Sequence, residues 1–96
     1  MEFEWDEGKD AVNRAKHGVS LEGISAFDWQ TANVFADDRE DIGEERQIAR
    51  GMIGERLFVA VFVLRGDTTR LMSLRKENRR ERALYATEIR TGLRRG

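Results

Sequence analysis

A strand that runs directly into a basic helix decides the fold of this chain, and residues 71–85 carry it as LMSLRKENRRERALY. Apolar and polar residues alternate over 71–75, which predicts a half-buried strand. Asn78 is a favourable helix N-cap, and Glu81 three residues later completes a capping box. Because arginines surround this junction, the helix N-terminus is a candidate anion site. A solvated basic helix face is the alternative that surface arginines more often form.

Composition places the chain among single-domain globular proteins. Its 96 residues suffice for one modest core, so we expect one domain over residues 1–96. A charged content of 36% and the lack of an apolar run of membrane-spanning length predict a soluble protein without membrane contact. The chain has no cysteine, and its acidic N-terminus does not resemble a signal peptide. We therefore expect a cytoplasmic location.

Charge is unevenly distributed along the chain, although the net charge is only −1. Residues 1–64 contain seven Lys/Arg and fourteen Asp/Glu, whereas residues 65–96 contain ten and four. A basic C-terminal third predicts contact with a polyanion or an acidic protein surface. Pairing with the acidic part of the same fold is the alternative, and charge alone leaves both open.

Capping residues predict three helices, with approximate bounds at residues 7–17, 20–29 and 79–91. Asp6 and Ser20 are suitable N-caps for the first two, and Gly18 suits the left-handed position that ends the first. The first helix has few apolar residues, so it should lie mostly on the surface. The positively charged form of His17 should be favoured at its C-terminus.

Strands are expected over residues 3–5, 32–36, 47–53, 56–64 and 71–75. The last three should form an antiparallel meander, because both two-residue connections begin with Gly, as type II′ turns prefer. An acidic loop should occupy residues 37–45. The predicted fold class is α+β: two N-terminal helices packed on a small antiparallel sheet, a three-strand meander plus short edge strands, with a C-terminal helix.

The hairpin register assigns side chains to the two faces of this sheet. With two-residue turns, Arg50 faces Val59, and Val59 faces Leu74. We expect the N-terminal helices to cover the face that holds Ile48, Met52, Leu57, Val59, Val61, Val63, Met72 and Leu74. The opposite face carries small residues that leave room for the C-terminal helix or a ligand. A slip of one residue would exchange the two faces.

Missing residue types exclude several kinds of enzyme. The chain has no Gly-rich phosphate loop, no zinc-ligand spacing and no cysteine nucleophile. A catalytic pair of histidines is impossible because His17 is the only one. The acidic residues of the 37–45 stretch lack EF-hand spacing and more often form a solvated loop. No cofactor and no metal site are expected.

Cleavage of RNA is a reaction that the cationic residues would support. The 2′-hydroxyl attacks the adjacent phosphate while the protein orients it, stabilises charge and moves two protons. The planar fork of arginine binds phosphate oxygens at two points. Candidates for proton transfer are Lys16, His17, Glu45 and Tyr85. Each also has a structural explanation, so these residues do not separate a ribonuclease from a non-catalytic nucleic-acid- or protein-binding module that uses the basic C-terminal third.

Two blocks of sequence resemble the BrnT toxins. The first comprises FEWD at 3–6, Lys9, Asn13 and KHGVS at 16–20. The second comprises GEER at 43–46, Gly51, RGD at 65–67, Arg70, Ser73, Arg75, Glu81 and Tyr85. The chain departs from the family where Trp29, rather than proline, follows Asp28, and where Leu74 replaces a small residue.

The resemblance implies a type II toxin with a compact RelE-like α+β fold that cuts RNA and inhibits translation. It also implies a BrnA-like antitoxin with a ribbon-helix-helix DNA-binding domain. Two toxins and two antitoxins would form a complex that binds operator DNA through the antitoxin.

The expected catalytic residues are Arg75, Arg46, Arg80, Lys16, His17, Glu45 and Tyr85. Arg75 should stabilise the phosphate, since it lies at a strand end beside a helix N-terminus. Arg46 and Arg80 should orient the substrate, although a salt bridge across the sheet explains Arg46 equally well. Lys16 and His17 are candidates for proton transfer or RNA contact. Glu45 is a possible base, and Tyr85 could stack on a nucleobase.

Overall fold

The computed structural model of the chain describes residues 2–37, 45–80 and 82–83. These residues form an α+β fold with two helices and a five-stranded mixed sheet in the order β1-β5-β4-β3-β2. The elements are β1 (Glu2–Glu4), α1 (Glu7–His17), a 3₁₀ helix (Leu21–Ala26), β2 (Asn33–Asp37), β3 (Arg46–Ile53), β4 (Arg56–Arg65) and β5 (Thr68–Lys76). None of the helices described is long and apolar enough to cross a membrane.

Helix α1 begins and ends where the sequence predicts. The Asp6 side chain accepts a hydrogen bond from the Gly8 N–H at 3.1 Å, as an N-cap should. Gly18 has a φ of 71° and ends the helix in the left-handed conformation. The buried residues of α1 are polar, Asp10 and Asn13, whereas Val12 is 62% exposed. The helix therefore does not dock through an apolar stripe.

The second N-terminal helix is a short 3₁₀ helix, so the α-helix predicted over residues 20–29 is wrong in type and length. Ser20 caps it as predicted, accepting a hydrogen bond from the Glu22 N–H at 3.1 Å. Leu21, Ile24 and Phe27 follow one another at intervals of three, and all three are buried. That spacing matches the three residues per turn of a 3₁₀ helix, which aligns them on one side.

The sheet is larger than the expected meander and is not purely antiparallel. Strands β3, β4 and β5 pair antiparallel as adjacent hairpins, and β2 adds a further antiparallel strand through five residue pairs with β3. Strand β1 pairs in parallel with the first part of β5. The hairpin turns have the predicted form: Gly54 and Gly66 have φ of 63° and 61°, and no described non-glycine residue has a positive φ, which fits type II′ turns.

A β-bulge in the β4–β5 hairpin overturns part of the predicted register. Arg50 pairs with Val59 as expected, but Val59 pairs with Arg75 instead of Leu74. The irregularity lies between Val61 and Phe62: these residues pair with Ser73 and Leu71, so Met72 is the extra residue on β5. An extra residue shifts the alternation of side chains, and Leu71 and Leu74 are consequently both fully buried.

The 3₁₀ helix and the segment after it cover the face opposite to the one predicted for the N-terminal helices. The core cluster consists of Leu21, Ile24, Phe27, Ala32, Ala49, Phe58, Ala60, Phe62, Leu71 and Leu74. Its β3 and β4 members include the small residues that seemed to leave room for another occupant. Phe27 takes that space above Gly51, where an added Cβ would lie 2.7 Å from the Phe27 Cζ atom. Small residues in the sheet thus admit a large side chain from the connecting segment.

The described residues show only the first turn of the expected C-terminal helix. Residues 79, 80, 82 and 83 are helical, and the Arg82 N–H donates to the Asn78 carbonyl at 3.1 Å. The turn therefore begins after Asn78, as the capping pattern predicts. The rest of the prediction for 79–91, including Tyr85, lies outside the described residues, as does most of the expected acidic loop.

Candidate functional site

An open groove of about 500 Å³ lies where α1 passes alongside β5. Its lining is mixed: the helix side carries the basic side chains of Lys9, Lys16 and His17 beside Asp6, Val12 and Asn13, and β5 contributes Met72 and Ser73. The two lysines and the histidine are spaced along one helix, so they lie on its groove side together. Lys9 and Lys16 outnumber the single carboxylate of Asp6 in this lining, so the groove suits an anionic ligand.

The position of α1 depends on hydrogen bonds from Asn13 to β5. Strand β1 pairs with β5 only as far as Arg70, so the edge of β5 continues beyond it. There the Asn13 Nδ2 group donates to the Leu74 carbonyl at 2.7 Å, and the Asn13 Oδ1 atom accepts from the Leu74 N–H at 3.1 Å. Nδ2 also donates to the Val19 carbonyl at 2.8 Å. No part of β1 pairs with β5 at Leu74, so these bonds satisfy backbone groups that would otherwise lack a partner on this side.

Asp10 fixes the segment that follows α1. Its Oδ1 atom accepts hydrogen bonds from the Leu21 N–H at 2.7 Å and from the Ser20 hydroxyl at 3.1 Å. Its Oδ2 atom lies 3.4 Å from the Arg14 Nε atom, in an ion pair whose arginine is 61% exposed. Asp10 and Asn13 are three residues apart, so α1 uses one buried polar side for both contacts.

His17 is held in an environment that favours its neutral form. Partial burial lowers the pKa of His17 below its ordinary value of 6.5, and the positive charges of Lys16 and Arg75 lower it further. Burial and the two neighbouring cations therefore outweigh the helix C-terminus, which by itself favours the charged form. At neutral pH this imidazole has a nitrogen lone pair available to accept a proton.

Arg75 lies on β5 next to this helix end. It is half-buried, and its Nη1 atom donates to the Lys76 carbonyl at 3.3 Å. Ser73 and Arg75 are two residues apart, so they lie on the same side of the strand while Leu74 enters the core. The fold thus brings together three of the sequence-predicted residues, Lys16, His17 and Arg75.

Arg46 and Glu45 lie in a different part of the sheet. Arg46 begins β3 and pairs with Asp37 of β2, whereas Arg75 is in register with Arg50 across β4. Four residues of strand separate Arg46 from Arg50, which amounts to about 13 Å along the strand. The fold therefore does not bring Arg46 or Glu45 to the groove.

The remaining predicted residues follow β5. Arg80 is an exposed residue of the helical turn after the strand. Tyr85 lies outside the described residues.

Sequence reasoning did not find the role of Glu77, the single acidic residue in the run RKENRR. Its side chain is only 1% exposed and accepts hydrogen bonds from Arg82 at 2.8 Å and Arg56 at 3.4 Å. Burial raises the pKa of Glu77, but the bonds from Arg82, its own backbone and Arg56 outweigh burial and hold the pKa below 4.5. Arg82 therefore has a structural role as a partner of Glu77. The sequence signal for this contact was a single glutamate within a basic run.

Asn13 was also missed as a structural residue, although its sequence position gave a hint. Asparagine is unfavourable inside a helix because its side chain competes for backbone hydrogen bonds. An asparagine in the middle of α1 therefore indicates a contact outside the helix.

Comparison with known families identifies the type of protein to which this groove belongs. The family model described as the ribonuclease toxin BrnT of type II toxin–antitoxin systems matches residues 5–81. The chain belongs to the BrnT toxin family. A search of curated proteins found no match.

Membership of the BrnT family confirms the resemblance that the sequence motifs predicted. It identifies the chain as a ribonuclease toxin, whose partners are an RNA substrate and a protein antitoxin. The BrnT match contains α1, the whole sheet beyond β1 and every groove residue named above, whereas Tyr85 lies beyond it.

Proposed function

We propose that this BrnT chain is an endoribonuclease that cuts RNA by attack of a 2′-hydroxyl on the adjacent phosphate, without a metal ion, and thereby inhibits translation. One observation carries the proposal: Lys16 and His17 line the groove between α1 and β5, and Arg75 on β5 is near enough to help keep that histidine neutral at pH 7. Neutral histidine and arginine are the groups that such a reaction needs.

Each group has a defined task in the proposed reaction. His17 accepts the proton of the 2′-hydroxyl, and the oxygen then bonds to phosphorus. Arg75 stabilises the additional negative charge on the phosphate oxygens. Lys16 donates a proton to the 5′-oxygen as its bond to phosphorus breaks. The products are a 2′,3′-cyclic phosphate and a 5′-hydroxyl.

Four other candidate residues have supporting parts in this proposal. Arg46 and Glu45 lie too far along the sheet to share a phosphate with Arg75, so they would contact RNA that extends beyond the cut. Arg80 would orient the RNA beside the first turn of the C-terminal helix. Tyr85 would stack on a base.

The proposal includes the partners that BrnT membership favours. The antitoxin would be a BrnA-like ribbon-helix-helix protein, with two toxins bound to two antitoxins. The complex would bind operator DNA through the antitoxin. The chain itself would be a single RelE-like domain.

The test is cleavage of a defined single-stranded RNA by the purified protein in the presence of a chelator. We expect fragments that end in a 2′,3′-cyclic phosphate. In Arg75→Ala the rate should fall roughly 100-fold or more, as when one donor to a developing oxyanion is removed. Arg65→Ala is the matched control, because it removes the same charge from an exposed position near the turn of the same hairpin.

Three outcomes would contradict parts of this proposal. Equal cleavage by Arg75→Ala and the wild type would exclude Arg75 from the reaction. Loss of cleavage on adding chelator would exclude a metal-independent mechanism. Salt-dependent RNA binding without cleavage, with and without ribosomes, would instead indicate a non-catalytic binding module.

A further inference from the structure

The groove is built from two separate elements, and its shape depends on how they are held relative to each other. Lys16 and His17 belong to the last turn of α1, whereas Ser73 and Arg75 belong to β5. Apolar side chains of α1 do not hold it against β5, because the buried residues of α1 are Asp10 and Asn13. Asp10 binds the segment after the helix rather than β5. Asn13 is thus the buried α1 side chain with hydrogen bonds to β5.

A side-chain amide is suited to this contact. It has a donor and an acceptor side by side, as a backbone peptide does. Asn13 therefore pairs with both the N–H and the carbonyl of Leu74 as a neighbouring strand would, and it is only 4% exposed. Its third bond, to the Val19 carbonyl, ties the chain beyond Gly18 to the same point.

The groove residues are close in sequence to the two residues that form this contact, Asn13 and Leu74. Lys16 and His17 follow Asn13 by three and four residues, so they lie one helical turn away on the same side. Ser73 and Arg75 are the immediate neighbours of Leu74. A shift at the contact between Asn13 and Leu74 would therefore move the two halves of the groove relative to each other.

We propose that Asn13 is a positioning residue that acts through the Leu74 backbone to hold Lys16 and His17 beside Ser73 and Arg75. The proposal rests on the ribonuclease function proposed above, because that function gives the positioning its purpose. Asn13 itself takes no part in bond making. Its effect is to maintain the distance between the proton-accepting histidine and the phosphate-binding arginine.

The first experiment follows the imidazole of His17 by NMR, whose signal is unambiguous because the chain has one histidine. In the wild type its pKa should lie below 6.5, owing to burial and to the charges of Lys16 and Arg75. In Asn13→Ala the last turn of α1 should move away from β5, and the pKa should rise towards 6.5. Ala11→Gly is the control, since it weakens α1 at an exposed position and should leave the His17 titration unchanged.

The second experiment measures RNA cleavage as a function of pH. Misplacement of reacting groups by about 1 Å can reduce a rate roughly 100-fold, so we expect a loss of about 10- to 100-fold in Asn13→Ala. The acid limb of its pH profile should shift upward with the pKa of His17. Ala11→Gly should keep both the wild-type rate and the wild-type profile.

The two experiments separate this proposal from the proposed function. A folded Asn13→Ala variant with the wild-type His17 pKa and cleavage rate would overturn the positioning role. Suppose instead that the wild type cuts no RNA, and that Asn13→Ala changes the His17 titration while Ala11→Gly does not. The ribonuclease assignment then fails, but the positioning role of Asn13 is supported. If Asn13→Ala does not fold, hydrogen exchange of the wild-type Leu74 amide decides: slow exchange supports the contact, and exchange at the rate of an open strand edge overturns it.

Discussion

The 3₁₀ helix and α1 both pack against β5, but the first presents apolar side chains to the sheet and the second presents polar ones. Leu21 and Ile24 of the 3₁₀ helix enter the core cluster. From α1, Asn13 binds the Leu74 backbone, while Asp10 binds the segment between the two helices. Neighbouring segments of one chain therefore dock by different physical means.

The difference matters because the two kinds of contact control different things. Apolar burial is strong but non-directional, so it holds a segment to the sheet without fixing each atom. Hydrogen bonds require particular distances and angles, so they fix the position of a helix along a strand. The directional contacts join α1 to β5, the two elements that form the groove, whereas the apolar contacts join the 3₁₀ helix to the core.

The largest effect should come from the apolar side of this comparison. Leu21→Ala removes a fully buried side chain from the core cluster, and we expect a loss of about 2–5 kcal/mol in the free energy of unfolding. Urea denaturation followed by circular dichroism measures it. Leu64→Ala is the control, because Leu64 is 58% exposed and should change stability by less than about 0.5 kcal/mol. Equal effects in the two variants would refute the assigned core.

A smaller effect should follow when the polar side is broken. Asp10→Ala leaves the buried Leu21 N–H without its acceptor, and we expect a loss of about 1–3 kcal/mol. Arg14→Ala removes the ion pair alone and should cost less than about 1 kcal/mol, because Arg14 is largely exposed. The same denaturation experiment compares them. If Arg14→Ala were as damaging as Asp10→Ala, the charge of Asp10 rather than its backbone contact would hold the segment.

Glu77 provides a third polar contact for this comparison, and its contribution to stability should depend on pH. Because its pKa is lowered in the folded state, its contribution to stability is present above 4.5 and is lost as the pH falls through the folded-state value. Glu77→Gln should cost on the order of 1 kcal/mol at pH 7, since Arg56 and Arg82 remain half-exposed or more. The difference from the wild type should shrink as the pH falls below 4.5 and through the folded-state pKa of Glu77.

Thermal unfolding at a series of pH values measures this convergence. Glu55→Gln, in the exposed turn between β3 and β4, is the matched control for removing one carboxylate. A difference between Glu77→Gln and the wild type that stayed constant with pH would show that the carboxylate charge of Glu77 does not contribute to stability.

Local features of the fold were predictable from the sequence. The bounds of α1 follow from Asp6 and Gly18, and both act within their own turn of the chain. The hairpin turns follow from Gly54 and Gly66, because a positive φ is a property of the residue itself. Predictions of this kind need no knowledge of the tertiary structure.

Features that depend on distant parts of the chain were not predictable. The bulge at Met72 has no local signal, and it exchanges the side-chain alternation for the rest of β5. The parallel pairing of β1 joins residues that are 66 apart. The face covered by the helices follows from how Phe27 fits above Gly51, which is a matter of shape.

The candidate site divides in the same way. The sequence by itself determined the family, through motifs such as KHGVS, and the cationic residues that a ribonuclease would need, because residue type and spacing carry that chemistry. Only the tertiary structure decided that Lys16, His17 and Arg75 meet while Arg46 does not, and that Asn13 and Glu77 are buried contacts. Those facts depend on strand register and on hydrogen bonds between residues as much as 61 positions apart, which no local pattern specifies.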